Sequence, residues 1–269
     1  MKYCRFLLDD QIHYGAVEAR GGEDWIVDLA DAPEEDLRFR LAHDLASALS
    51  FEPMPLSAAE LLPPVTPTKI ICVGRNYRDH AKELGNEVPT EPLLFFKPPS
   101  SLLAPGGVIR LPAAAARVDF EGELALVIAR RVRNLKAEEW AKAIRGYTLA
   151  NDVTARDLQK KDGQWTRAKG FDTFCPVGPI VSDEVDPEAG LTIETRVNGE
   201  LRQQGSTLDF IFRIPELLAY ITAAITLEPG DLVLTGTPAG VGPLVSGDRV
   251  EVTVFGLGVL ANTVQPDAG

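Results

Sequence analysis

The chain has 269 residues, 45% hydrophobic and 25% charged, enough for one large core or for a main domain with a small companion. A formal net charge of −12 argues against nucleic acid as a partner, yet leaves room for a local basic pocket that takes a small anion. Three cysteines without a Cys-x-x-Cys spacing, two early aspartates that interrupt any signal-like start, and no apolar run long enough to cross a bilayer predict a soluble cytoplasmic protein with reduced thiols.

Residues 3–8 and 12–19 alternate as strands around Asp9-Asp10-Gln11, and 25–29 form a third strand after Gly21-Gly22. Residues 34–49 carry Leu37, Leu41, Leu45 and Leu49 at spacing four, which predicts a helix. The proline-rich connector Leu61-Leu62-Pro63-Pro64-Val65-Thr66-Pro67 predicts a boundary between a small N-terminal domain, 1–65, and a main domain, 66–269. His13 and His43 have no partners at recognisable spacing and read as plain histidines.

The main domain opens with a buried strand at 69–74 and a short helix over 75–84 that stops at Gly85. His80 and Glu83 lie three apart, hence on one helix face. A carboxylate beside an imidazole fixes the tautomer a general base needs; a mixed-charge surface helix would show the same pattern. After a polar loop at 86–92, the apolar run 93–96 delivers Lys97 to Pro98-Pro99, whose fixed backbone would aim the ammonium. A solvated loop lysine is the plainer reading. Residues 100–118 read as loop and short strand.

The stretch Asp119-Phe120-Glu121-Gly122-Glu123-Leu124-Ala125-Leu126-Val127-Ile128 reads as one strand, apolar on both faces and therefore buried on both. Alternation puts Glu121 and Glu123 on the same face as Ala125 and Val127. Two buried carboxylates side by side must be protonated, paired with cations or bound to a metal; the alternative is a strand end where both still reach water. A helix over 135–144 follows, then a strand at 146–152 ending on Asp152, and a helical turn over 153–161. Asp152 reads either as an N-cap or as a third oxygen ligand. Three carboxylates without Cys or His suit a hard cation, Mg²⁺ rather than Zn²⁺.

Residues 164–174 read as a mixed polar and aromatic loop with Lys169 between small neighbours. A strand at 191–198, the hairpin signal Asn198-Gly199, an apolar helix over 214–225 with Pro215 in its first turn and a strand at 232–234 follow. Thr235-Gly236-Thr237-Pro238-Ala239-Gly240-Val241-Gly242 lacks the lysine of a phosphate loop, but its amides could meet a carboxylate. The final strand, 249–255, has a hairpin-like return.

From about Lys69 to Val264 the chain resembles the fumarylacetoacetate hydrolase family, in the shorter form that includes acylpyruvases and 2-hydroxyhepta-2,4-diene-1,7-dioate isomerases. The resemblance is carried by six motifs in the family's order: Val73-Gly74-Arg75-Asn76-Tyr77 with Asp79-His80, Asp119-Phe120-Glu121-Gly122-Glu123, Asn151-Asp152-Val153-Thr154-Ala155-Arg156-Asp157, Ala168-Lys169, Val197-Asn198-Gly199 and Thr235-Gly236-Thr237-Pro238. It implies an α+β, β-rich fold: a mixed β-sandwich roll with short helices, a small N-terminal α+β domain, and a homodimer. It implies that Glu121, Glu123 and Asp152 bind Mg²⁺ or Mn²⁺, and that His80 and Glu83 form a water-activating dyad on a mobile lid. It further implies that Lys169, Arg156 and Gln159 hold substrate and its developing oxyanion, with Arg75, Lys97 and Thr237 as further substrate-binding positions. A fourth aspartate ligand of larger members has no match in this chain.

The implied substrates are small 2-oxo (1,2- and 2,4-dioxo) acids. The presence of both His80 and Glu83 favours hydrolysis of a C–C bond in acylpyruvates through a metal-stabilised enolate. The alternatives on the same site are oxaloacetate decarboxylation or tautomerisation, and isomerisation or decarboxylation of 2-hydroxyhepta-2,4-diene-1,7-dioate in aromatic catabolism. A non-catalytic metal- or ligand-binding protein is the rival from another class. Loss of His80, Glu121, Glu123, Asp152 or Lys169 would favour it, and all five are present.

Overall fold

The computed structural model describes residues 1–33, 51–83, 85 and 87–267; the helix expected over 34–49, with His43, lies outside them. The alternating and continuous apolar runs form strands, grouped among the described residues into sheets of twelve, five and three. The N-terminal strands Lys2–Leu8, Gln11–Arg20, Glu23–Ala30 and Met54–Pro55 make one end of the largest sheet. Pairing of Lys2 with Ser182 and Tyr3 with Val181 joins them to Cys175–Ser182. Ile144–Asn151, Gly122–Ile128, Leu232–Leu234, Ile70–Gly74 and the edge strand Leu93–Lys97 follow in space. The N-terminal segment therefore extends the main sheet.

The alternation read in the central strand holds. Leu124, Leu126 and Ile128 enter one core with the apolar face of the helix Ile214–Ala224. Ala125 and Val127 enter another, with Ile70, Cys72, Leu232 and Leu234. That helix buries Ile214, Leu217, Leu218 and Ile221, spaced three, one and three apart on one face. The five-stranded sheet packs on this layer, and its hairpin turns at Asn198 and Gly199, both with positive φ, as the sequence predicts.

Three local expectations change. The stretch 119–128 is two strands: Val118–Phe120 belongs to the three-stranded sheet and Gly122–Ile128 to the large one, so Glu121 sits where the chain switches sheets. Side chains replace the ladder there: Glu121 N–H donates to Asn151 Oδ1 at 2.9 Å and Gly122 N–H to Gln203 Oε1 at 3.0 Å. The helix expected over 135–144 is a 3₁₀ segment, Ala137–Ala143. The loop expected over 164–174 contains the helix Thr166–Gly170, in which Lys169 N–H bonds Trp165 O at 2.9 Å. No helix of the described residues is long and apolar enough to cross a membrane.

Candidate active site

Gly122 explains why the two glutamates can sit so close to the second sheet. A Cβ at this position would collide with the Thr195 hydroxyl and press on Val252. Glu121 and Glu123, on either side, meet Asp152 from the end of the neighbouring strand, and one carboxylate oxygen from each of the three lies within 4.8 Å of the others. All three are buried. Asp152 does not cap the following helix, Arg156–Asp162, whose N-cap is Ala155.

Cations from three other segments meet these carboxylates. Lys169 Nζ donates to Glu121 Oε2 at 2.9 Å and to Asp152 Oδ2 at 2.6 Å, and lies 4.8 Å over the Phe95 ring. Arg156 binds Glu121 through Nη2 and Asp119 through Nε at 3.0 Å. Burial would raise the Glu121 carboxyl, but Lys169 and Arg156 outweigh it and hold the group well below its ordinary range. Burial would lower the Lys169 ammonium, but Asp152 and Glu121 raise it above its ordinary value. Glu123 differs. Among the described residues it has no ion pair, and its Oε2 accepts the Gly236 N–H at 2.7 Å. Burial, then Asp152 and Glu121, push its carboxyl well above the ordinary range. A buried carboxylate crowded by two others, with no cation of its own, fits a divalent cation bound by oxygen.

A cavity of about 400 Å³ opens on this cluster. His80 and Glu83, on the helix Arg78–Glu83, line it, with His80 Nδ1 3.3 Å from Glu83 Oε2. The glycine loop meets two carboxylates of the protein itself: Gly236 N–H bonds Glu123, and Gly240 N–H reaches the Glu83 oxygens at 3.1 and 3.2 Å. Arg75, Arg156, Gln159, Lys169 and Thr237 also line the cavity. Gln159 Oε1 accepts from Arg156 Nη1 at 2.8 Å, and the Thr237 hydroxyl donates to Gly122 O at 2.9 Å.

Lys97 stands apart from the cavity. It is buried behind Asp152, with Nζ 2.7 Å from Asp152 Oδ1 and 3.1 Å from Val153 O. Its geometry is that of a residue that positions a carboxylate, because the edge strand Leu93–Lys97 aims it inward. Sequence reasoning missed Asp119 and Arg117, joined by bonds of 2.7 and 3.1 Å. Their spacing of two, with Arg117 just before the strand Val118–Phe120 that carries Asp119, was the available signal. It also missed Gln203, which donates to Thr237 Oγ1 and Pro238 O at 2.7 Å; no local pattern marks that residue.

A strand-rich fold thus gathers three carboxylates, a His–Glu pair and a buried lysine around one small cavity. Residues 69–265 match the model described as fumarylacetoacetate (FAA) hydrolase C-terminal, and the chain belongs to the fumarylacetoacetate hydrolase family. Among its relatives, protein MJ1656 of Methanocaldococcus jannaschii is 52% identical over 203 residues, 76% of this chain and 85% of that one. The oxaloacetate tautomerase YisK of Bacillus subtilis is 43% identical over 224 residues, 78% of this chain and 74% of its own. The solved structure of 2-hydroxyhepta-2,4-diene-1,7-dioate isomerase from Mycobacterium marinum superposes with a TM-score of 0.85 at 40% identity, covering 100% of both chains.

Proposed function

We propose that this protein is a divalent-cation-dependent isomerase that moves a proton between the enol and keto forms of small 2-oxo acids such as oxaloacetate or a 2-hydroxy-diene-dioate. The observation that carries it is the shared cavity of His80, Lys169 and the carboxylate triad, together with tautomerase and isomerase relatives. Glu121, Glu123 and Asp152 would hold Mg²⁺ (or Mn²⁺). A cation there supplies polarisation of the 2-oxo group and a counter-charge for its oxygen.

The chain's own residues supply the rest. Lys169 uses two of its three N–H donors on Glu121 and Asp152, which leaves the third for the oxygen that gains charge when a proton leaves carbon. Glu83 accepts from His80 Nδ1, so Nε2 carries the lone pair that takes the proton from carbon; the imidazolium so formed gives it to the enolate oxygen, and the reverse transfers turn enol into keto form. Gly240 N–H keeps the Glu83 carboxylate in place.

The same His80–Glu83 contact favours a second reading, hydrolysis of acylpyruvates, in which His80 takes its proton from water. Purified protein with Mg²⁺ is to be assayed in parallel on enol-oxaloacetate, 2-hydroxyhepta-2,4-diene-1,7-dioate and acetylpyruvate. Isomerisation of either of the first two is expected. Turnover of acetylpyruvate alone would replace isomerisation with hydrolysis. Inactivity on all three, with Mg²⁺ still bound, would favour the non-catalytic reading. The proposal carries with it a cytoplasmic homodimer; three free, buried cysteines suit a reducing compartment.

A further inference from the structure

Among the described residues, the cations on the floor of the cavity are already paired. Asp119, Glu121 and Asp152 engage Arg117, Arg156, Lys97 and Lys169 in close ion pairs. Arg75 also lines the cavity but, among the described residues, has no hydrogen bond or ion pair. Its backbone is unusual as well. Arg75 has φ +58°, a left-handed conformation that a non-glycine residue adopts at a cost and only where its surroundings impose it.

Asn76 imposes it. The Asn76 side chain is fully buried; Nδ2 donates to Phe212 O at 3.1 Å and Thr235 O at 2.8 Å, and Oδ1 accepts from Phe212 N–H at 2.8 Å. Its carbonyl accepts from Ile211 N–H at 2.8 Å. Four hydrogen bonds thus pin the residue after Arg75, and the strand Ile70–Gly74 fixes the residue before it. The turn presents an uncommitted guanidinium to a small cavity, at the expense of backbone strain.

We infer that Arg75 selects a second carboxylate: its guanidinium receives the distal carboxylate of a 2-oxo diacid whose 2-oxo end lies at Glu121, Glu123 and Asp152. This rests on the reading of the cavity as a 2-oxo acid site. Charge supports it. With Glu123 counted, four floor carboxylates (Asp119, Glu121, Glu123 and Asp152) face four cations (Arg117, Arg156, Lys97 and Lys169), so an added dianion needs added positive charge, which a bound divalent cation and Arg75 provide at the two ends. A planar guanidinium can also hold a carboxylate through two parallel N–H donors, which fixes the orientation of the carbon chain between the ends.

The test measures binding by calorimetry at saturating Mg²⁺, with acid pairs that differ by one carboxylate for a methyl group: oxaloacetate against 2-oxobutyrate, and 2-oxoglutarate against 2-oxopentanoate. The wild-type protein is expected to bind the diacid of at least one pair about tenfold more tightly, the scale of a charge-assisted hydrogen bond. Arg75→Asn keeps a residue that tolerates the left-handed backbone, and should lose that preference while its monoacid affinity stays within about twofold. Arg75→Gly removes the backbone constraint altogether and should behave alike, which protects the test if one variant folds poorly. The inference is overturned if the wild type shows no diacid preference, if both variants keep it, or if it disappears only in Lys160→Gln, the change at a cavity-lining lysine that also has no hydrogen bond or ion pair among the described residues. Enol–keto turnover measured on the same samples separates the two ideas. A diacid preference that depends on Arg75, without isomerisation, leaves the inference standing and removes the proposed reaction.

Discussion

Two buried lysines touch Asp152, and their surroundings assign them different work. Lys169 faces the cavity and keeps a donor free, whereas Lys97 ends behind the carboxylate and bonds Val153 O. Removing one partner of a buried ion pair costs about 3–5 kcal/mol because the other charge is left short of compensation. Lys97→Met is therefore expected to lower the metal-free stability by about that amount, with Mg²⁺ restoring more stability than it adds to the wild type and with KM little changed. Denaturant titrations with and without Mg²⁺ read the first effect, and a raised KM at unchanged stability would show instead that Lys97 meets substrate. His80 separates from the triad in the same way. It lines the cavity but bonds Glu83, so His80→Gln should lower kcat for isomerisation by about 10²- to 10⁴-fold, the usual worth of a positioned acid–base group. Mg²⁺ affinity by calorimetry should not move; loss of both together would make His80 part of the cation site.

The elements that place these residues were partly legible in the sequence, and the dividing line is the range of the interaction. Gly122–Ile128 follows from alternation, Ile214–Ala224 from its apolar spacing and first-turn proline, and the turn at Asn198-Gly199 from residues that accept positive φ. Glu121, Glu123 and Asp152 stood out because acids in apolar strands conflict with burial. What Gly236 and Gly240 bond, and where Lys97 ends, depends on segments more than fifty residues away, and no local period encodes such pairings. The switch of sheets at Glu121 was hidden for the same reason, since Asn151 and Gln203 side chains replace the ladder there. Gly122 offers a test of that switch. A methyl group at this position has no space against Thr195 and Val252, and overpacking in a dense core costs about 1–3 kcal/mol or more. Gly122→Ala is expected to lower Tm and weaken Mg²⁺ binding together, because relief of the clash must move the segment that carries both glutamates. A lowered Tm with Mg²⁺ affinity intact would mean that the second sheet gives way while the triad stays in place.

At the scale of the molecule, the site draws on segments spread from Gly74 to Gly240, so a cation bound there ties together parts of the sheets that are far apart in sequence. A ligand that binds only the folded state stabilises it by mass action, about 2.7 kcal/mol at a hundred times Kd. For a chain of this size that corresponds to a rise of about 5 °C in Tm. The three cysteines give a second readout. All are free and buried, Cys4 and Cys175 are pushed up to about 12 by burial, and burial drives Cys72 well above its ordinary value. A thiol reacts as its thiolate, so these groups should stay unlabelled in the native state at neutral pH and react as the protein opens. Mg²⁺ is accordingly expected to raise Tm and to slow thiol labelling in parallel. Glu123→Gln should abolish both effects, because it removes the triad's one carboxylate without an ion pair among the described residues while leaving an amide oxygen to accept the Gly236 N–H. If Glu123→Gln kept the full Mg²⁺ response in both measurements, the cation would be stabilising some other part of the protein, and the triad would be a network of ion pairs held by Lys169 and Arg156.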